Sequence, residues 1–195
     1  NSYNQERLQA AQRNVQVTNR TARYLRAPEG AERLFRHASI GLAKRHAFAR
    51  MLINTGRMAE ANRYAVSDIC KPHGGWMVQN ARVQFDSQQT GALSDLLNWA
   101  NGRLLLLVFG NLKSSDLKKL ALLSMSTPVR VVQVVHKDKP QALEHVMDPH
   151  KHLRQACQAS ATGWALLRPD AYLAAKGPKV DSKLIQAIAL ALALH

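Results

Sequence analysis

The chain has 195 residues, room for one ordinary domain with an appendage or for two units with modest cores. Lysine and arginine total 27 against 13 acidic residues, a formal charge of +14, but residues 1–63 hold 12 and 4 of these, so the excess is spread along the chain and nucleic-acid binding is not the expectation. Two cysteines without C-x-x-C spacing, Cys70 and Cys157, indicate neither a disulfide framework nor a zinc knuckle, and the longest wholly apolar run, Leu104 to Phe109, is far below the roughly 20 residues of a spanning helix, so a cytoplasmic protein off the membrane is expected.

Ser2 and Gln5 have the spacing of a capping box, which predicts a helix from the outset, with no initiator methionine before it; the expectation is that further chain precedes Asn1. Leu8, Ala11, Val15, Thr18, Ala22 and Leu25 form one stripe on that helix, beside Arg7, Arg13, Arg20 and Arg23, and Pro28 ends it. A second helix is predicted over 29–44, with Leu34, Phe35, Ala38 and Leu42 inward, and a third from Phe48 to about Gly56. Residues 57–90 lose helical period and contain Pro72, Gly74 and Gly75. They read as an irregular crossing with one short strand near Val83, and the domain boundary is placed between 90 and 91.

Leu93, Leu96, Leu97 and Ala100 mark a short helix that stops at Asn101-Gly102. Leu104 to Phe109 is apolar without alternation, the mark of a strand covered on both faces, and the β-branched run Val129 to Val135 is a second strand. Between them Ser114, Ser115 and Asp116 can cap a helix carrying Leu117, Leu120 and Leu123, which makes a strand–helix–strand unit with parallel pairing. Asp148-Pro149 opens a helix with Leu153, Ala156 and Cys157 that runs to Gly163. Trp164–168 and 171–175 then form an antiparallel hairpin, and a last helix capped by Asp181 or Ser182 packs through Leu184, Ile185, Ile188 and Leu192.

The order βαβ, α, ββα resembles a thioredoxin fold, an α/β domain over about residues 102–195 preceded by an α-helical arm. Gly102-Arg103 through Phe109-Gly110 resembles the first strand of the thioredoxin-like C-terminal domain of flavoprotein phenol and phenylpropionate hydroxylases. The run Trp164-Ala165-Leu166-Leu167-Arg168-Pro169-Asp170-Ala171-Tyr172-Leu173-Ala174-Ala175 resembles that family's closing hairpin, and Ser2-Tyr3 with Glu6-Arg7 resembles the start of the helix that follows its last flavin-binding motif. The resemblance implies a larger monooxygenase using FAD and NAD(P)H to hydroxylate phenolic rings. Residues 1–90 would be the remainder of its flavin and substrate domain, and 91–195 its thioredoxin-like domain. The fingerprint G-x-G-x-x-G is absent, so these 195 residues are expected to bind no cofactor, to be inactive alone, and to serve as a packing or oligomerisation element for the missing N-terminal flavin-binding domain. The alternative is a stand-alone basic thioredoxin-like module for an acidic partner or nucleic acid.

A redox thioredoxin needs two cysteines at the turn after its first strand, and here that turn reads Gly110-Asn111-Leu112-Lys113-Ser114-Ser115; the stretch Ser160 to Gly163 also lacks the proline of redox-active members. Glu144, His145, Asp148, His150 and His152 are the richest set of metal-ligand types, but they straddle a helix start at which Asp148 serves as cap, so a solvated helix entrance is preferred to a metal site. Cys157 reads as a buried small hydrophobe, and Cys70 lies in a loop with no role assigned. Trp164 and Tyr172 are expected to fill the sheet's face, with Trp76 and Trp99 anchoring the crossing segment. For the arginines of the first helix two readings stand: a solvated face, or ion pairs to the absent flavin domain. No residue is assigned a catalytic, cofactor-binding or metal-binding role.

Overall fold

Leu104–Phe109 (β3) is buried along its whole length because successive side chains enter two different cores. Leu105, Leu107 and Phe109 face one, Leu104, Leu106 and Val108 the other. Each fully buried leucine contributes about 1.5–3 kcal/mol, and truncating Leu106 to alanine would cost about 2–5 kcal/mol. The computed structural model describes residues 2–26, 29–53, 61–64, 67–70, 73–85, 89–136 and 143–192. Its contacts divide the chain into two compact units, residues 3–62 and 63–195.

In the first unit α1 (Ser2–Leu25), α2 (Gly30–Arg45) and α3 (Ala47–Ile53) follow in order. Arg36 ties the α1–α2 turn by donating to the Arg26 carbonyl at 3.1 Å, its guanidinium 5.4 Å from the Tyr24 ring centroid. Arg50 Nε donates to the Ala43 carbonyl at 3.1 Å, which holds α3 to α2. The inward placement expected for Leu34, Phe35, Ala38 and Leu42 does not occur. All four are exposed, and the residue that α2 buries is Ser39, on a neighbouring flank. Periodicity finds an apolar face; it does not say whether anything covers it. The Ser2 cap and the helix stop near Gly56 lie outside the described residues and side chains.

The second unit is one seven-stranded sheet, β1 (Arg82–Gln84), β2 (Thr90–Ala92), β3, β4 (Val129–Val135), β5 (His145–Met147), β6 (Trp164–Leu167) and β7 (Leu173–Gly177), in the order β2-β1-β5-β4-β3-β6-β7. Leu104 pairs with Val129 in parallel and Val108 with Trp164 antiparallel. The four strands expected from sequence therefore lie side by side in the thioredoxin order, with α4 (Leu93–Ala100) and α6 (His152–Ala156) on one face and α5 (Ser114–Ser126) and α7 (Ser182–Ala191) on the other. Residues 63–90, grouped with the arm on sequence grounds, supply β1 and send Val78, Ala81 and Val83 into the core of this unit.

Several local expectations are corrected. Helix α6 starts at His152 and ends at Ala156, because Lys151 before it is left-handed (φ 61) and Cys157 already closes the turn. The strand after the hairpin begins at Leu173, since Ala171 (φ 65) completes a turn by donating to the Arg168 carbonyl at 3.1 Å. Lys113 stands at the start of α5 without a side-chain cap, and Asp116 lies in its first turn. Ile185 points to solvent from α7 while Leu184 and Ile188 are buried. Asp181 caps α7 as expected, accepting from the Lys183 amide at 3.0 Å.

The free edge of β7 is covered by the segment that lacked periodicity. The Gly75 amide donates to the Leu173 carbonyl at 2.7 Å, the Leu173 amide to the Trp76 carbonyl at 2.9 Å, and the Val78 amide to the Ala171 carbonyl at 2.9 Å. Gly74 permits this approach, because a Cβ there would fall on the carbonyl of Ala174.

Candidate functional site

The turn that follows β3 sits where a redox thioredoxin carries its dithiol. Gly110 adopts φ +77, and a Cβ on it would meet the Ala161 carbonyl oxygen at 2.7 Å. Its amide donates to the Val134 carbonyl at 3.0 Å, its carbonyl accepts from Gln133 Nε2 at 2.9 Å, and the preceding Phe109 amide reaches the Gly163 carbonyl at 2.9 Å. Gln133 is fully buried, so this bond satisfies a polar group that would otherwise cost about 1–3 kcal/mol. The turn closes on backbone and one amide side chain, with no thiol, imidazole or carboxylate between Gly110 and Ser115. Its chemistry is that of a structural junction between β3, β4 and the loop before β6.

Neither cysteine is in a disulfide, and both are buried. Cys157 has no exposure, and its thiol is pushed up to about 12 by burial first and then by the Asp148 carboxylate, against a smaller opposing influence of Lys176. Burial among apolar side chains and a raised pKa are the environment of a packing thiol. Cys70, to which the sequence assigned nothing, accepts from Arg168 Nη1 at 3.6 Å; the same guanidinium holds Asp170 at 2.8 Å and lies 5.8 Å from the Tyr172 ring centroid. Burial, followed by the neighbouring Tyr64, raises the Tyr172 hydroxyl to about 12. This cluster pins residues near 64 and 70 to the hairpin.

The histidine and acid group is only partly assembled. Asp148, His150 and His152 border a cleft of about 670 Å³ between the β1–β2 ribbon and the loop before α6, with Asp95 and Arg82 across from them. The His150 and His152 rings lie 5.5 Å apart. Asp148 is buried, and its Oδ2 accepts from the Arg154 amide at 2.9 Å, so it caps α6 from four residues before the helix. Glu144 and His145 stand apart from the cleft, on β5 and its approach. Among the described residues no three His, Cys, Asp or Glu side chains are placed to hold a metal ion. Arg82 and Asp95 are wall residues that the sequence did not single out, and of the two Asp95 carried a signal. Its position in the first turn of α4 marks it as a cap, and it does accept from the Ala92 amide at 2.8 Å.

Trp164 fills the sheet's second face and donates from Nε1 to the Lys179 carbonyl at 2.7 Å. Trp76 anchors the crossing segment, with Arg63 and Lys176 placed 5.5 and 5.1 Å from its ring. Gly74 and Gly75, the only adjacent glycines in the chain, are packed against β7 and the Tyr64 carbonyl. No helix among the described residues is long and apolar enough to cross a membrane.

These features define a thioredoxin-like α/β unit whose redox turn holds no thiol, in one chain with a helical unit. No family model and no curated protein matches the sequence. Among solved structures the chain is similar to the flavin-dependent monooxygenase PieE in complex with FAD and substrate, with 16% identity and a TM-score of 0.57 over 87% of this chain and 31% of that one. It is also similar to aklavinone-11 hydroxylase in a ternary complex with FAD and aklavinone, with 17% identity and a TM-score of 0.53 over 72% of this chain and 28% of that one. At these identities the likeness is one of fold, and the chain spans less than a third of either protein.

Proposed function

We propose that these 195 residues are the C-terminal portion of a cytoplasmic, FAD-dependent and NAD(P)H-using monooxygenase that hydroxylates phenolic compounds, and that they serve it as a packing or oligomerisation element. One observation carries this reading. Residues 63–195 make up only about two-thirds of the chain, so the likeness to a flavin-dependent monooxygenase over 87% of it takes in much of the helical unit as well as the thioredoxin-like one. A thioredoxin-like fold by itself would carry no such implication. The missing dithiol and the inert Cys157 agree with a structural role. Flavin binding and catalysis are assigned to a portion outside these residues, with which the helices would pack.

The coding sequence upstream of Asn1 provides the first test: it is expected to continue in frame through a dinucleotide fingerprint. The purified 195-residue protein, mixed with FAD and desalted, is expected to be colourless and inactive toward phenols; yellow protein would overturn the assignment of flavin to another portion. The rival reading, a basic module for an acidic partner or nucleic acid, draws on the charge of +14 and predicts a nucleic-acid complex that weakens steeply with salt.

A further inference from the structure

The connection from α4 to β3 holds the chain's single Asn-Gly pair, Asn101-Gly102. An asparagine can lose its side-chain amide to its own backbone. The amide nitrogen of the next residue attacks Cγ, the new N–Cγ bond forms as the Cγ–Nδ2 bond breaks, and ammonia leaves with the proton of the attacking nitrogen. Water then opens either carbonyl of the resulting five-membered imide, which yields aspartate or, with the main chain running through Cβ, isoaspartate. Glycine hinders the attack least, having no Cβ beside its nitrogen. Here both residues are exposed, and among the described residues nothing accepts a hydrogen bond from the Gly102 amide. A Cβ on Gly102 would meet nothing within 4 Å, so the imide ring has room.

Backbone conformation holds the reaction off. Asn101 closes α4 in the left-handed region, with φ 51 and ψ 58. Its amide donates to the Asn98 carbonyl at 3.0 Å, and the Arg103 amide to the Ala100 carbonyl at 3.2 Å. In an L-residue Cβ stands about 120° on from the backbone nitrogen around the Cα–C bond, so ψ 58 turns the Gly102 nitrogen almost directly away from Cβ. Ring closure needs the two on the same side, a rotation of ψ by about 180° that abolishes the cap. We infer that Asn101 is a latent deamidation site, closed while the last turn of α4 holds and open when that turn frays, so that its product accumulates as a record of local opening. Either product puts a carboxylate at the C-terminal end of α4, where the helix dipole disfavours it. Isoaspartate also adds a main-chain bond to the connection 101–103, which feeds Leu104 into its pairing with Val129. None of this depends on the function proposed above.

Peptide mapping by mass spectrometry, after ageing at mildly alkaline pH, reads the reaction at Asn101. A free peptide of residues 97–106 and the 195-residue chain unfolded in guanidinium are expected to convert at similar rates, with aspartate and isoaspartate both formed. The folded chain is expected to convert at least about ten-fold more slowly. Equal rates in the folded chain and the peptide would overturn the protection by the cap, and an Asn101 that stays intact in the peptide would overturn the site. Aspartate as the sole product would mean direct hydrolysis and overturn the ring. In the peptide, where folding is not at issue, Gly102→Ala is expected to slow conversion several-fold; an unchanged rate would overturn the Gly102 nitrogen as the attacking group.

Discussion

Cys157 shows how much one buried group can report. Its thiol stays neutral in the folded chain up to about pH 12, whereas in the unfolded chain it ionises near its ordinary value of 9.0. The folded state therefore holds a proton that the unfolded state has lost, and the stabilisation is complete below about pH 9 and disappears as pH rises toward 12. Three units correspond to about 4 kcal/mol as an order of magnitude. The expected outcome is that Cys157→Ala, which leaves a small cavity at neutral pH, loses less stability than the parent between about pH 8 and about pH 10.5 in urea denaturation. Equal losses would remove the thiol from the account. That Cys157 is buried was legible in its apolar neighbours Leu153 and Ala156. The bond from Gln133 to the Gly110 carbonyl was not, because its partners are 23 residues apart.

At the scale of elements, α4 begins with help from outside its own segment. Asn80 Oδ1 accepts from the Ser94 amide at 2.9 Å, and its Nδ2 donates to Ser94 Oγ at 3.2 Å. A first-turn amide is satisfied by a residue 14 positions away, across the whole β1–β2 ribbon. Asn80→Ala is expected to cost about 1–2 kcal/mol in urea denaturation, and Asn80→Asp, which keeps the acceptor, less than half of that. If Asn80→Ala matched the parent, water would be capping the helix instead. The long strands β3 and β4 were readable because burial on both faces demands unbroken apolar runs. The three-residue strands β1, β2 and β5 are too short to show a period, and only the first was anticipated, around Val83.

For the molecule as a whole, residues 63–195 contain every strand among the described residues and both cores of the sheet. Expressed alone, that stretch is expected to unfold cooperatively and to keep Trp164 buried, with the blue-shifted emission of an apolar site; red-shifted emission in buffer would mean that the sheet requires the first 62 residues. The parallel pairing of β3 with β4 and the β6–β7 hairpin follow from pattern, and their place side by side in one sheet from the thioredoxin fold that their order resembles. That the turn after β3 carries no thiol is likewise read directly from its residues. Local pattern was silent on the insertion of β5 beside β4, the segment over the edge of β7, the cap supplied by Asn80 and the bare face of α2. Each depends on which distant surfaces meet, and a side chain's spacing along its own helix or strand carries no record of that.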